Sequence, residues 1–316
     1  MRSGVLGLAL AAFAASVSLS HADDMKHTIG VSIPAADHGW TAGVVFHAQR
    51  VAALLMKEYP GLNVIVKTSA DPSTQANALE DLATQGIDAL VILPTNPDPL
   101  VNAIKQIKAS GTFVTLVDRA PSDNDSSVRD LYVAGNNTAL GAVAGDYIKQ
   151  NTPDAQVVVI RGLPIPIDQQ RQDGFDAAIA GSNVKVLEKQ FGNWSRDDAF
   201  KVMQDFLTKY QKIDVVWCQD DDMAVGVLQA IDQAKRTDIK YIIGGAGSKD
   251  MIKKVMDGDK MVPVDVLYPP AMVGTAMELT AAHLYDQVPV PGTYTMDATL
   301  VTTDNAKNYY FETSPY

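Results

Sequence analysis

Short runs of β-branched and aliphatic residues recur along the chain between amphipathic stretches. Residues 28–33, 63–68, 89–93 and 113–117 are rich in β-branched and aliphatic residues and read as buried strands. Between them, residues 43–59, 72–85 and 99–109 carry helical periodicity. Strands that are apolar on both faces and alternate with helices predict a parallel sheet covered on both sides.

The second half repeats the plan. Residues 157–160, 184–189, 214–218 and 241–243 read as strands, and 169–180, 196–210, 223–234 and 249–256 as helices. The run Gly86-Ile87-Asp88-Ala89-Leu90-Val91 is matched in layout by Lys212-Ile213-Asp214-Val215-Val216-Trp217. Two α/β halves of similar build are expected, on pattern rather than on identity. The last segment departs from the alternation. It reads as a strand at 261–267, a helix at 271–285 and a strand at 298–301, with a turn at Pro289-Val290-Pro291-Gly292. No long Gly/Ser linker separates the halves, which fits domains joined by several short crossings.

Composition narrows the class. The chain has 316 residues, 47% of them hydrophobic and 20% charged, enough for two domains with real cores. Its net charge of −11 argues against a phosphate backbone as the main partner, which needs clustered Lys and Arg. The single cysteine, Cys218, excludes an intramolecular disulfide and any multi-thiolate metal site. The first residues read as a secretory signal. Arg2 supplies the positive end, residues 5–17 form a short apolar run, and Ser20-His21-Ala22 offers small residues for cleavage after Ala22. A soluble exported product, in a bacterial periplasm, is expected.

In open parallel α/β sheets, ligands bind outside the carboxyl ends of the strands. The residues just after the expected strands are Asp37-His38-Gly39-Trp40-Thr41, Pro94-Thr95-Asn96, Asp118-Arg119, Arg161-Gly162, Asp220-Asp221-Asp222 and Gly244-Gly245-Ala246-Gly247. Planar Arg and carboxylate oxygens suit neighbouring hydroxyls, and an indole face suits the C–H side of a sugar ring. The set favours a small polyhydroxylated ligand. Each position also has a plainer account. Trp40 can be core, Asp37 and His38 can be turn residues, and Asp118 and Arg119 can pair only with each other. The three aspartates at 220–222 can serve a helix N-terminus, with one facing the cleft and its neighbours capping. A metal site there lacks a second carboxylate cluster at ligand spacing. The glycine loop at 244–247 has neither P-loop nor dinucleotide-site spacing and reads as a tight strand-to-helix turn. Asn136-Asn137-Thr138 and Asn193-Trp194-Ser195 match a glycosylation sequon, which means little in a bacterial export product.

The whole pattern resembles the type I periplasmic sugar-binding proteins of ABC transporters, in the ribose-binding branch. The marks are, in order, Ile29-Gly30-Val31-Ser32-Ile33 leading to Trp40, Gly86 to Ile92, Val114 to Arg119, Arg171-Gln172-Asp173-Gly174-Phe175, Asp220 to Gly226, and Ile242-Ile243-Gly244. The resemblance implies two doubly wound lobes joined by three crossings near 132–136, 266–268 and 295–297. One lobe would take residues 23–133 and 268–296, the other 134–267 and 297–316. It implies ligand contacts at His38, Trp40, Thr41, Asp118, Arg119, Arg171, Trp194, Asp220, Ala246 and Tyr268, with Trp40 and Trp194 enclosing a sugar ring from opposite sides. It further implies hinge closure, delivery to a membrane permease, no cofactor and no catalysis. Ala246 stands where sugar binders of this branch commonly carry Asp, and Asp220 where they usually carry Asn. The ligand therefore need not be ribose: another pentose, a branched sugar, a polyol or a furanosyl signal molecule remains open. Three competing readings are an exported α/β carbohydrate enzyme using Asp37/His38 facing Asp220, a sugar-sensing repressor, and a ligand-presenting partner of a chemoreceptor or sensor. The repressor would need an N-terminal helix-turn-helix and a basic face, which the acidic chain with its export-type start lacks.

Overall fold

The structure, a computed structural model, describes residues 26–316; the expected signal segment and its cleavage after Ala22 lie outside the described residues. The chain runs β1 (His27–Pro34), α1 (Gly39–Glu58), β2 (Leu62–Ser69), α2 (Pro72–Thr84), β3 (Ala89–Ile92), α3 (Val101–Ala109), β4 (Phe113–Val117) and β5 (Leu131–Gly135). It continues with α4 (Asn137–Asn151), β6 (Gln156–Arg161), α5 (Pro166–Ile179), β7 (Lys185–Phe191), α6 (Arg196–Lys209), β8 (Val215–Cys218), α7 (Asp221–Ala234) and β9 (Tyr241–Ile243). It closes with α8 (Lys249–Met256), β10 (Asp265–Leu267), α9 (Met272–Tyr285), β11 (Gly292–Met296) and β12 (Thr299–Val301).

Two parallel sheets result. The first has the order β11-β5-β4-β3-β1-β2 and the second β7-β6-β8-β9; β10 and β12 form a separate antiparallel pair. Each sheet is covered on both faces, as strands apolar at every position require. Leu90, Ile92, Val114 and Leu116 turn to α2 and α3, packing on Leu79, Leu82 and Ile104. Val31, Val91 and Val117 turn the other way, into a cluster with Val44, Ala48 and Val51 of α1 and Val273, Ala276 and Met277 of α9. In the second sheet Val158, Val216 and Cys218 meet α6, α7 and α8, while Val157, Val159 and Trp217 meet α4 and α5. Trp217 stacks on Phe175 with ring centres 4.3 Å apart. Cys218 is fully buried at the end of β8, and burial, reinforced by Asp220 and Asp221, pushes its thiol well up.

Local chemistry explains where elements start. Helix α1 begins at Gly39, earlier than the expected 43, because Thr41 Oγ1 accepts the backbone N–H groups of Asp37 and His38 at 3.2 Å and closes the first turn. Helix α2 starts on Pro72, with Asp71 accepting from Thr74 N at 2.8 Å. The expected strand 261–267 shortens to β10, because Pro263 has no N–H to give a ladder. Two further strands, β5 and β11, lie where crossings were expected. β5 pairs with β11 throughout its length and with β4 from Leu131 to Val133, so the first sheet extends to Gly135 and the chain leaves it at Asn136. The other passages between sheets run through residues 268–271, toward α9, and through 297–298, between β11 and β12. Among the described residues no helix is long and apolar enough to cross a membrane.

Candidate functional site

The strand ends of both sheets face one another across a small cavity lined by His38, Trp40, Asp118, Arg119, Ile167, Arg171, Trp194, Asp220, Ala246 and Tyr268. Nine of the ten residues expected from the sequence are therefore brought together. Thr41 is not among the lining residues: its hydroxyl is turned to the start of α1, where it donates to Asp37 Oδ1 at 2.7 Å. Ile167 is the addition, placed by the first turn of α5.

The first sheet supplies a charged floor. Asp118 follows β4 at φ 62°, a left-handed conformation that a non-glycine residue keeps only when its surroundings hold it there. Asp118 N–H donates to Val133 O at 2.9 Å, and one carboxylate oxygen accepts from the Tyr268 hydroxyl. The other oxygen is buried without a hydrogen-bond partner in the chain. Arg119 donates to Pro94 O and Thr95 O at 3.1 and 2.8 Å and stacks over Trp194 at 5.5 Å. Burial works against its charged form, opposed by Asp118 and Asp37; an arginine starts high enough to stay charged. The Asp118–Arg119 ion pair is loose at 3.7 Å, so each side chain is committed mainly elsewhere.

The second sheet answers with Arg171 and Asp220. Arg171 Nε donates to Asn137 Oδ1 at 2.8 Å, Nη1 donates to Gln219 O at 2.6 Å, and the guanidinium lies 4.6 Å over the Tyr268 ring. Asn137 in turn donates to the Tyr268 hydroxyl at 2.9 Å. A continuous line of hydrogen bonds thus joins Asp118, Tyr268, Asn137, Arg171 and Gln219 across the passage from β10 to α9. Asp220 accepts from Met223 N at 3.0 Å and caps α7 itself, which corrects the expectation that its neighbours cap. Burial raises its carboxyl to about 6; Asp222 adds to the rise while His38 and Arg171 oppose it. Asp221 instead accepts from Gly245 N and Ser248 N at 2.8 and 2.6 Å and holds the glycine turn, bringing Ala246 to the cavity at φ 97°.

The indoles complete the enclosure. Trp40 Nε1 donates to Tyr268 O at 3.0 Å, fixing the ring at the start of α1. Trp194, at φ 53° between β7 and α6, lies against Gly162, where an added Cβ would fall 2.0 Å from Nε1. Its Nε1 is buried with no partner in the chain. His38 stacks on Trp194 at 6.4 Å from across the cleft, and its Nδ1 holds Asp37 Oδ1 at 2.6 Å. Burial alone would raise Asp37, but the hydrogen bonds from His38 and Thr41 outweigh it and bring the carboxyl down to about 2. Among the described residues no group of His, Cys, Asp or Glu is arranged to hold a metal ion.

Two similar α/β lobes, three passages between them and a lined cavity at the facing strand ends define a two-lobed solute-binding protein of the type I fold. The chain belongs to the family of the periplasmic binding protein domain, whose signature matches residues 29–287, in its ribose-binding-like branch. It is 28% identical over 299 residues to the ribose import binding protein RbsB of Escherichia coli strain K12, covering 94% of this chain and 97% of that one. It is 28% identical over 293 residues to the galactofuranose-binding protein YtfQ of the same organism, covering 89% of each. A solute-binding protein of an ABC transporter from Mycobacterium smegmatis, solved with bound glycerol, superposes with a TM-score of 0.80 at 26% identity, covering 92% of this chain and 99% of that one.

Proposed function

We propose that this protein captures a monosaccharide or small sugar alcohol in the cavity between its lobes, closes on it by a hinge motion and delivers it to a membrane ABC permease. The observation that carries this reading is the convergence of Asp118, Arg119, Arg171 and Asp220 with two indoles on one small cavity. Asp118 and Trp194, both lining the cavity, each keep one polar atom without a hydrogen-bond partner in the chain, an acceptor and a donor, the pair of roles a ligand hydroxyl can meet. Closure removes water from these charge-assisted bonds and strengthens them. Relatives that bind ribose, galactofuranose and glycerol support the class without choosing within it.

In this reading the lobes follow the two sheets, with hinges at Asn136, 268–271 and 297–298, and an export signal is removed after Ala22. Presentation of the closed form to a chemoreceptor or sensor is a finer proposal, tested by pull-down of such a receptor from membranes with and without sugar. The main test is a thermal-shift screen against pentoses, hexoses, furanosides, tetritols and pentitols. A ligand of the folded state raises the melting temperature by mass action. The expected result is a concentration-dependent rise with one or a few of these compounds, each recovered chemically unchanged. No rise with any of them refutes the reading.

A further inference from the structure

Asp222 takes no part in lining the cavity, yet it ties the two lobes together. It sits in the first turn of α7, which packs on β8 and β9 of the second sheet. Its Oδ2 accepts the Gly39 N–H at 2.8 Å, at the start of α1, which packs on β1 and β2 of the first sheet. Its Oδ1 accepts from Arg196 at 3.0 Å. Helix α1 has no acidic residue in its own first turn, and while Asp37 just before it bonds the side chains of His38 and Thr41, the carboxylate that accepts its first N–H comes from the opposite lobe. The fit is close: a Cβ on Gly39 would lie 2.6 Å from Asp222 Oδ2 and 2.7 Å from the Tyr316 ring.

Tyr316 closes the same seam from behind. It is 7% exposed, and its ring is packed against Gly39 while its Cβ would meet a Cβ on Gly43 at 3.1 Å. The segment that carries it is pinned on both lobes. Phe311 lies against Phe46 and His47 of α1, with ring centres 6.3 and 5.5 Å away, and under Arg50. Lys249, at the start of α8, donates to Ser314 O at 2.9 Å. Residues 311–316 therefore form a strap from one lobe to the other.

We propose that Asp222 and the 311–316 strap act as a clasp that holds the lobes together at the rim of the cleft. The clasp populates the closed form without ligand and slows ligand escape. The proposal rests on the two-lobe closure described above but not on the identity of the ligand. Opening would return the Gly39 N–H and the Tyr316 ring to water while leaving Asp222 with Arg196. The positioning is thus specific to the closed form and biases it by differential interaction.

The test places spin labels on the full chain through Ser73→Cys and Asp205→Cys, both exposed, on α2 and α6. Distances are read by double electron–electron resonance, without sugar and with excess D-ribose, xylitol or glycerol. The labelled parent is expected to show a short-distance population without sugar. Asp222→Asn is expected to reduce its closed-to-open ratio about ten-fold or more, the scale of one weakened charge-assisted contact, and Tyr316→Ala, which removes the ring packed on Gly39, to reduce it several-fold independently. Circular dichroism checks that each variant folds; two variants on different elements keep the test decisive if one does not. A parent that shows only the long distance without sugar, or ratios within two-fold of the parent in both variants, overturns the clasp. If none of the three compounds moves the parent distribution while the variants still do, the clasp stands, and these compounds are not its ligands.

Discussion

Replacing Tyr268 by Phe tests the line of hydrogen bonds under the cavity. The substitution removes one oxygen and leaves the ring under Arg171, so the 4.6 Å cation–π contact is kept. Tyr268, Asp118 and Asn137 are 2%, 1% and 3% exposed, so water does not readily replace the lost hydroxyl. Asp118 loses the donor on one carboxylate oxygen while its other oxygen already lacks a hydrogen-bond partner in the chain. Asn137 loses the acceptor for its Nδ2. A hydrogen bond to a charged group contributes about 1.5–3 kcal/mol, and a neutral one about 1 kcal/mol, so the total cost is about 3 kcal/mol. For a chain of 316 residues, at about 2.1 cal/mol/K of unfolding entropy per residue, roughly 1.5 °C of melting temperature accompanies each kcal/mol, giving a drop of roughly 5 °C. The assay is thermal melting followed by circular dichroism, in a cycle with Asp118→Asn. Because the two side chains share a bond, the double variant should fall short of the summed effects by about 1 kcal/mol or more. A drop for Tyr268→Phe below about 2 °C, or additivity within about 0.3 kcal/mol, refutes the account of the cavity floor.

Asp220→Asn should change the pH dependence of stability. The folded carboxyl is raised to about 6 by burial, above the ordinary 3.8, so the folded state holds its proton more tightly than the unfolded chain. Its contribution is intact below about 3.8, falls as pH rises to about 6 and stays lost above that; melting scans of the variant should decline less across this window. Asp265, raised by burial to about 7 beside Asp221, keeps a residual decline in the variant up to neutrality. Gly162→Ala would put a Cβ 2.0 Å from Trp194 Nε1; displacing the buried indole should weaken sugar binding at least ten-fold by calorimetry and cost about 1–3 kcal/mol of stability. Arg171→Ala strands Asn137 Oδ1 and Gln219 O and should reduce affinity for the ligand found by screening about a hundred-fold or more. Unchanged affinity would place the site elsewhere.

The strands with continuous apolar runs were legible because burial on both faces writes itself into every position. β11 was not, since its residues Gly292 to Tyr294 are exposed and backbone pairing with β5, rather than burial, holds the strand in the sheet. Missing β5 had a further effect. Asn137 lies two residues beyond that strand, at the start of α4, so the rule that reads residues after strand ends passed it over and left it as part of a glycosylation sequon. Ile167 escaped for a different reason: an apolar residue in a helix's first turn carries no mark that separates a cavity wall from core. Thr41 was drawn in by its nearness to His38 and Trp40, but helical geometry turns it toward Asp37. The ion-pair pattern at the floor was visible as residue types; which oxygen stays unpartnered depends on the fold bringing Tyr268 to Asp118.

The sulfur at the end of β8 has a practical consequence. A thiol that is fully buried and whose ionisation is suppressed reacts slowly with maleimides and other thiol reagents. Dyes can therefore be coupled to cysteines introduced on the outer helices with the native residue left in place. The protein is thus suited to conversion into a fluorescent reporter, in which the separation of two fluorophores registers solute concentration.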